Sequence, residues 1–374
     1  MVDSQNPEIR TTLPTTLNSQ LSTLNSQLST FNSQLSTLNS QLPMNRAAFL
    51  RLACVAPWCL RLPASGCRVD VGDMRTKAIA WLLEHQSHDG AWRSDSYGAF
   101  RDGRALTPVV LRAMPAGDAA AKACRWLLDN NDTLFDDYPI HLASALLEAA
   151  ARFPELAPLA KIARDRLLSL QCPGSGGWSY SPRPPADESA PMQQANLSAT
   201  AMAIDGLRAA GLAADDPRLR KAATFLPICH NHAGGDPGFD DGGFFQLPAD
   251  PVRNKAGRAG TDRLGVIRYR SYASATADGL RALLRCGEKS DSPPVRAAAD
   301  WLRRFAGKTP ADLKYYTARS IARTASLLPE LLPLIPDLAA GQQPDGSWRN
   351  PAGEMREDCP VVATALALET LDRA

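Results

Sequence analysis

From Met74 to the C-terminus two apolar patterns alternate along the chain, both with the three- and four-residue spacing of amphipathic helices. One sets a basic residue and small residues before an aromatic and leucines, as in Lys77-Ala78-Ile79-Ala80-Trp81-Leu82-Leu83 and Lys122-Ala123-Cys124-Arg125-Trp126-Leu127-Leu128. Lys221 to Leu226 and Arg296 to Leu302 repeat it, and Lys161 to Leu168 and Leu331 to Gln342 complete a set of six. The other pattern is rich in alanine and covers residues 105–114, 138–152, 196–211, 271–286, 312–327 and 360–373. Small side chains let helices approach closely, as an inner ring demands. Six of each kind in strict alternation predict an all-α chain folded as an (α/α)6 toroid, a barrel of six helical hairpins.

The ends of several outer helices carry a further pattern. Gln86, Gly90 and Trp92 stand at the spacing found again in Gln342, Gly346 and Trp348, and Gln171, Gly176 and Trp178 repeat it with one residue inserted. Asp241-Gly242-Gly243-Phe244 is a degenerate fourth copy. A helix-turn-aromatic unit that recurs in this way marks a repeat protein. On these residues the chain resembles the prenyltransferase and squalene cyclase repeat family over residues 74–374. The resemblance implies a toroid of α-hairpins, in which the Gln ties off an outer helix and the Trp stacks on it to clip one hairpin to the next. It implies a structural role for these residues and by itself no catalysis.

Residues 1–43 are a low-complexity tract of near-perfect heptads, with Leu17, Leu21, Leu24, Leu28, Phe31, Leu35, Leu38 and Leu42 spaced alternately by four and three. That spacing is formally a coiled-coil seam. The other positions are uncharged Ser, Thr, Asn and Gln, several of them poor helix formers, so the tract reads as disordered or as translated tandem DNA upstream of a true start at Met44. After Met44 come Asn45-Arg46 and Arg51, an apolar run from Leu52 to Leu60, and Ala64-Ser65-Gly66-Cys67. Residues 44–67 thus read as a signal peptide, of the lipoprotein type if Cys67 is lipidated. A start at Met44 implies an exported protein, periplasmic, secreted or lipid-anchored; an upstream start leaves it cytoplasmic. No later stretch reaches the roughly 18 apolar residues that span a bilayer.

Composition adds little beyond exclusions. The 374 residues are 44% hydrophobic and 21% charged with a net charge of +2, which gives no reason to expect nucleic acid or a polybasic membrane patch. Of eight Cys, Cys54, Cys59 and Cys67 fall in the leader, and the other five show no CxxC spacing, so no disulfide framework is expected.

The inner helices hold the candidate chemistry. Asp205-Gly206-Leu207-Arg208-Ala209 matches Asp278-Gly279-Leu280-Arg281-Ala282, and the same register sets Glu148 and Glu369 at the equivalent depth. Arg152, Arg208, Arg281 and Arg373 follow one turn on, close enough to pair on a helix. These acid and Arg pairs either line the central cavity or plug the narrow end of the barrel. Nearer the helix N-termini stand Tyr138, His141, Asn196, Thr200, Tyr272, Ser274, Tyr315, Tyr316, Asp358 and Cys359. The segment from Cys229 to Arg270 is too long for a plain connection and is expected over the mouth. It carries Arg253, Lys255, Arg258, Arg263, Arg268 and Arg270 against Asp262. With the dipoles of the helix N-termini, these cations suit an anion. The ligand-binding candidates are therefore Tyr138, His141, Asn196, Tyr272, Tyr315, Tyr316, Arg268 and Arg270.

The chemistries that the family resemblance implies find partial matches only. A squalene-type cyclase protonates an alkene with an Asp-x-Asp-Asp acid; Phe135-Asp136-Asp137 and Phe239-Asp240-Asp241 each lack the first Asp. Protein prenyltransferases hold zinc with Asp, Cys and His, for which Asp358, Cys359 and His141 are the candidates, although Asp and Cys are adjacent here rather than one residue apart. Cys229-His230-Asn231-His232 with Asp236 is another possible set. The thioester motif of complement-like toroids breaks off at Lys289 after Cys286-Gly287-Glu288. Asp240 or Asp241 with Asp358 would be the acid and base of a sugar-cleaving toroid. The expectation is a binding protein for an anionic or peptide-like ligand, without metal or cofactor; the alternative is an enzyme acting on prenyl diphosphates or triterpenes.

Overall fold

The computed structural model describes residues 70–374, apart from 133, 136–137, 189, 191–192, 235, 249, 251, 309–312 and 374. The heptad tract, the leader with Cys67, and Asp136-Asp137 lie outside the described residues.

Outer helices α1 (Val71–Glu84), α3 (Asp118–Asp129), α5 (Ala157–Ser169), α7 (Pro217–Phe225) and α9 (Pro293–Phe305) alternate with inner helices α2 (Thr107–Leu111), α4 (Pro139–Ala150), α6 (Leu197–Ala209), α8 (Ala273–Arg285), α10 (Lys314–Ala325) and α11 (Pro360–Leu371). The inner helices pack in sequence, α2 on α4, α4 on α6, α6 on α8, α8 on α10 and α10 on α11, and α11 returns to α2. The ring therefore closes. The sixth outer element differs from the expected helix: Pro329–Leu334 and Ala339–Gly341 are 3-10 turns. Pro333 lies inside the first and Pro336 follows it, and neither can donate the amide hydrogen a longer α-helix would need.

The Gln, Gly and Trp pattern is a physical clip. Gln86, Gln171 and Gln342 form isolated β-bridges to Trp92, Trp178 and Trp348. Each Gln Nε2 donates twice, across its own turn to the carbonyl of Gly90, Gly176 or Gly346, and onward to the next outer element at Ala119, Arg218 or Met74. Each Trp Nε1 donates back to its own outer element, at Leu82, Leu167 or Leu338. The turn glycines have positive φ and press against the following helix. A Cβ on Gly346 (φ 94°) would lie 2.6 Å from the Lys77 carbonyl oxygen, so the last turn locks onto the first helix.

The fourth clip uses His230 where the others use Gln. His230 bridges to Phe244, its Nε2 lies 3.0 Å from the Gly242 carbonyl, and its ring stacks on Phe244 at 3.9 Å. The hairpins through α3–α4 and α9–α10 carry no such clip among the described residues. No described helix is long and apolar enough to cross a membrane.

Candidate functional site

The clips also fix the register of the inner ring. The backbone amides of Trp92, Trp178, Phe244 and Trp348 donate to the hydroxyls of Thr107, Thr200, Thr276 and Thr364. Five residues beyond each threonine, one layer carries Arg112, Asp205, Arg281 and Glu369. The match of Asp278 with Asp205 in the sequence is thus corrected: Arg281 is level with Asp205, and Asp278 sits three residues nearer the helix N-terminus.

This layer is a closed ion-pair network. Arg281 bonds Asp205 at 2.9 Å and Asp278 at 2.7 Å; Arg112 bonds Glu369 at 2.6 Å; Arg319 bonds Glu369 at 2.8 Å. Arg323 bridges Glu148 and, at 3.3 Å, Asp205. Burial pushes the Asp205 carboxyl up, but Arg281, Arg323 and Arg285 outweigh it and hold it at about 2. Glu148 and Glu369 are likewise kept below the usual carboxylate range by their arginines, against the push of burial. The charges therefore plug the barrel, and of them Asp278 alone lines the cavity above. Of the Arg residues predicted to pair one turn on, only Arg281 does so. Arg152 and Arg208 donate to the carbonyls of Arg112 and Leu212, and Arg373 to that of Glu369. The sequence reading missed Arg112, Arg319 and Arg323; its one signal was that α2 and α10 carry Arg where four other helices carry an acid.

Above the plug lies a cavity of about 260 Å3, lined by Tyr180, Ser198, Gln246, Val252, Arg253, Lys255, Tyr272, Ser274, Asp278, Leu313, Tyr316, Glu354 and Met355 among others. Asp278 is its floor, with one carboxylate oxygen bound by Arg281 and the other by the Tyr316 hydroxyl at 2.7 Å. Gln246 reaches in from the long segment, and its Nε2 lies within hydrogen-bond distance of Ser198 Oγ (2.8 Å), Tyr180 Oη (3.0 Å) and Asn196 Oδ1 (3.0 Å). Asn196 is itself buried and caps α6 by accepting from the Ala199 amide, so it supports the wall without lining it. Glu357, also buried, accepts from the Tyr316 amide at 2.7 Å and steadies the start of α10.

Part of the long segment roofs this cavity, as expected, through Gln246, Val252, Arg253 and Lys255. Its basic residues are largely neutralised. Arg253 pairs with Asp250, Lys255 with Glu354, Arg263 with Asp236, and Arg268 with both Asp240 and Asp262. Arg268 thus braces the hairpin of β1 (Arg258–Thr261) and β2 (Ile267–Tyr269). Arg270 lines a second hollow of about 310 Å3 with Asp241, Ala256, Ser271, Tyr272, Trp301 and Phe305. Asp241 there accepts from Ser271 Oγ at 2.7 Å and from the Gly243 amide.

The remaining candidates separate. Tyr272 and Tyr316 line the mouth cavity. Tyr315, one residue from Tyr316 and so about 100° round the helix, instead ends against Gly341 in the outer layer. His141 sits between Tyr138 (6.3 Å, edge-on) and Tyr180 (5.6 Å, stacked). Burial, reinforced by Arg112 and Arg319, lowers its pKa to about 4, so it is neutral at pH 7. Asp358 accepts from the Tyr97 hydroxyl at 2.6 Å, and the buried Cys359 thiol donates to Ser94. No three His, Cys, Asp or Glu side chains converge among the described residues, so Asp358, Cys359 and His141 are not gathered into a ligand set. Cys229 points to the Gln246 carbonyl and His230 serves its clip, which separates that group too.

No protein-family model matches the chain, and no curated protein does so. Solved structures do. An inactive variant of an α-1,6-mannanase of Salegentibacter sp., in complex with α-1,6-mannotriose, has a TM-score of 0.54 at 10% identity, covering 82% of this chain and 100% of that one. The protein is an α/α toroid. A variant of the type II terpene cyclase MstE from Scytonema, in complex with geranylgeranyl dihydroxybenzoate, has a TM-score of 0.49 at 15% identity over 80% of this chain and 96% of its own. At these identities the toroid likeness fixes architecture and leaves chemistry to the residues of this chain.

Proposed function

We propose that this toroid is a binding protein that holds a small ligand bearing an anionic or peptide-like group in the mouth cavity. The observation that carries this reading is the lining: hydroxyl and amide groups of Tyr180, Ser198, Gln246, Tyr272, Ser274 and Tyr316 above a carboxylate already bound by Arg281. Such groups both donate and accept, which suits the amide and carboxylate of a peptide-like molecule. Arg253 and Lys255, each paired with a carboxylate, stand on the wall, and the N-termini of α6, α8 and α10 border the cavity with their positive dipole ends. With translation from Met44, this ligand would be met outside the cytoplasm. The alternative, an enzyme on isoprenoids, calls for an apolar, aromatic cavity to steer a carbocation; this wall sets hydroxyls, an amide and the charged Asp278, Glu354, Arg253 and Lys255 among its apolar surface.

Native mass spectrometry of the full chain with pools of amino acids, dipeptides, organic acids and prenyl diphosphates tests the reading. A stoichiometric adduct of one of the first three classes, weakened at least tenfold in Gln246→Ala, is the expected result. An adduct that ignores Gln246→Ala, or capture of the prenyl diphosphates alone, overturns it.

A further inference from the structure

Among the described residues three non-glycines have a left-handed backbone: Tyr138 (φ 51°), Arg356 (φ 59°) and Ala233 (φ 54°). Two of them, 218 positions apart in the chain, meet at the rim of the mouth. The Arg356 guanidinium lies 4.0 Å from the centre of the Tyr97 ring and is near the Tyr138 side chain. Tyr138 is half exposed and stands edge-on to His141, which stacks on Tyr180, a wall residue of the cavity. Glu354 and Met355, just before Arg356, line the same cavity. The rim residues therefore adjoin the residues of the cavity wall.

Left-handed backbone is costly for side chains other than glycine, asparagine and aspartate. In a core, packing can force it. The Arg356 side chain is exposed, and its backbone is held in a turn, its amide donating to the Gly353 carbonyl and the Cys359 amide to its own, that leads into buried Glu357. The Asp358 carboxylate two residues on turns both oxygens to the Tyr97 hydroxyl at 2.6 Å. Among the described residues no carboxylate forms an ion pair with Arg356. Stacked on the Tyr97 ring beside Tyr138, the guanidinium keeps a planar edge for an incoming oxyanion.

We propose that Arg356, positioned by Tyr97 and Tyr138, is the anchor for a carboxylate or phosphate group whose parent molecule extends past His141 and Tyr180 into the mouth cavity. The anion-binding role that the sequence assigned to the long basic segment moves to this arginine, because Arg253, Lys255, Arg263 and Arg268 of that segment are paired with carboxylates. The proposal rests on the cavity being a binding site.

The test uses the full chain with inorganic phosphate and, separately, acetate, following the His141 ring signals by NMR after assignment with His141→Gln. The expected result is a saturable shift with at least one anion, weakened tenfold or more in Arg356→Gln and partly restored in Arg356→Lys. Phosphate alone, or acetate alone, names the source. Arg356→Gly relieves the backbone, so it is expected to melt higher than the parent while losing the anion response. A response that survives in Arg356→Gln or Arg356→Gly overturns the proposal. So does the absence of any response while the cavity still captures its ligand, which leaves the binding reading intact. An Arg356-dependent response in a chain that captures none of the cavity pools supports the anchor and sinks the cavity reading alone.

Discussion

Two layers of the same inner helices, one to two helical turns apart, have opposite characters. In the deep layer Arg112, Arg281, Arg319 and Arg323 face Glu148, Asp205, Asp278 and Glu369, and almost every charge meets its counterion inside the ring. In the mouth layer the wall is built of hydroxyls, an amide and two paired cations around a hollow. The abundant charges drew attention in the sequence, yet their completeness makes them a structural plug. The incomplete layer is the one that can take a ligand.

Breaking the plug carries the largest expected effect. Arg281→Met strands Asp278 without a counterion at full burial and takes from Asp205 its 2.9 Å partner, leaving it Arg323 and Arg285, and a loss of about 3–5 kcal/mol is expected in a urea titration. Unchanged stability with lost ligand capture would reverse the assignment of the two layers. Next comes the ring closure. Gly346→Ala adds a Cβ at φ 94° and 2.6 Å from Lys77, whereas Gly211→Ala, at φ 86° in open space, adds backbone strain alone. We expect about 3 kcal/mol lost for the first and about 1 kcal/mol for the second; equal losses would show that the last turn does not lock onto the first helix.

Acid sharpens the contrast further. His141 and His230 are held near pKa 4 in the fold, chiefly by burial, against about 6.5 unfolded. As pH falls below about 6.5 the unfolded chain takes up these protons first, so their stability contribution, on the order of 1–3 kcal/mol each, is lost between about pH 6.5 and 4. His230→Gln puts the usual clip residue at the fourth turn and should flatten its share of that slope in denaturation midpoints. A slope unchanged by the substitution would place the protons elsewhere. Asp205, at about 2, resists until lower pH. The smallest effect on stability is expected in the mouth: Tyr316→Phe, which removes one hydrogen bond to Asp278, costs about 1 kcal/mol while weakening ligand capture tenfold. A loss near that of Arg281→Met would make the mouth part of the plug.

Where the sequence reading went astray, long-range contacts explain it. The shared Asp-Gly-Leu-Arg string suggested one depth for Asp205 and Asp278, but depth is set by Thr200 and Thr276, which the turn aromatics bind. His230 was not recognised as the fourth clip residue because twelve residues separate it from Gly242, against four or five in the other clips. Arg356 carried no local signal at all. Its place at the rim depends on Tyr97 and Tyr138, from other hairpins, and on a backbone angle that its residue type does not announce.

The sequence by itself determined the helical alternation, the clips at three turns and hence the toroid, because each rests on neighbouring segments and recurs along the chain. Only the tertiary structure decided which arginine meets which acid, which tyrosine faces the mouth, and that Arg356 stacks on Tyr97 at the rim. Those outcomes depend on ring closure, which carries Gln342 to Met74 and Arg112 to Glu369 across more than 250 positions. In the desolvated interior that closure creates, a charge without its partner would cost several kcal/mol.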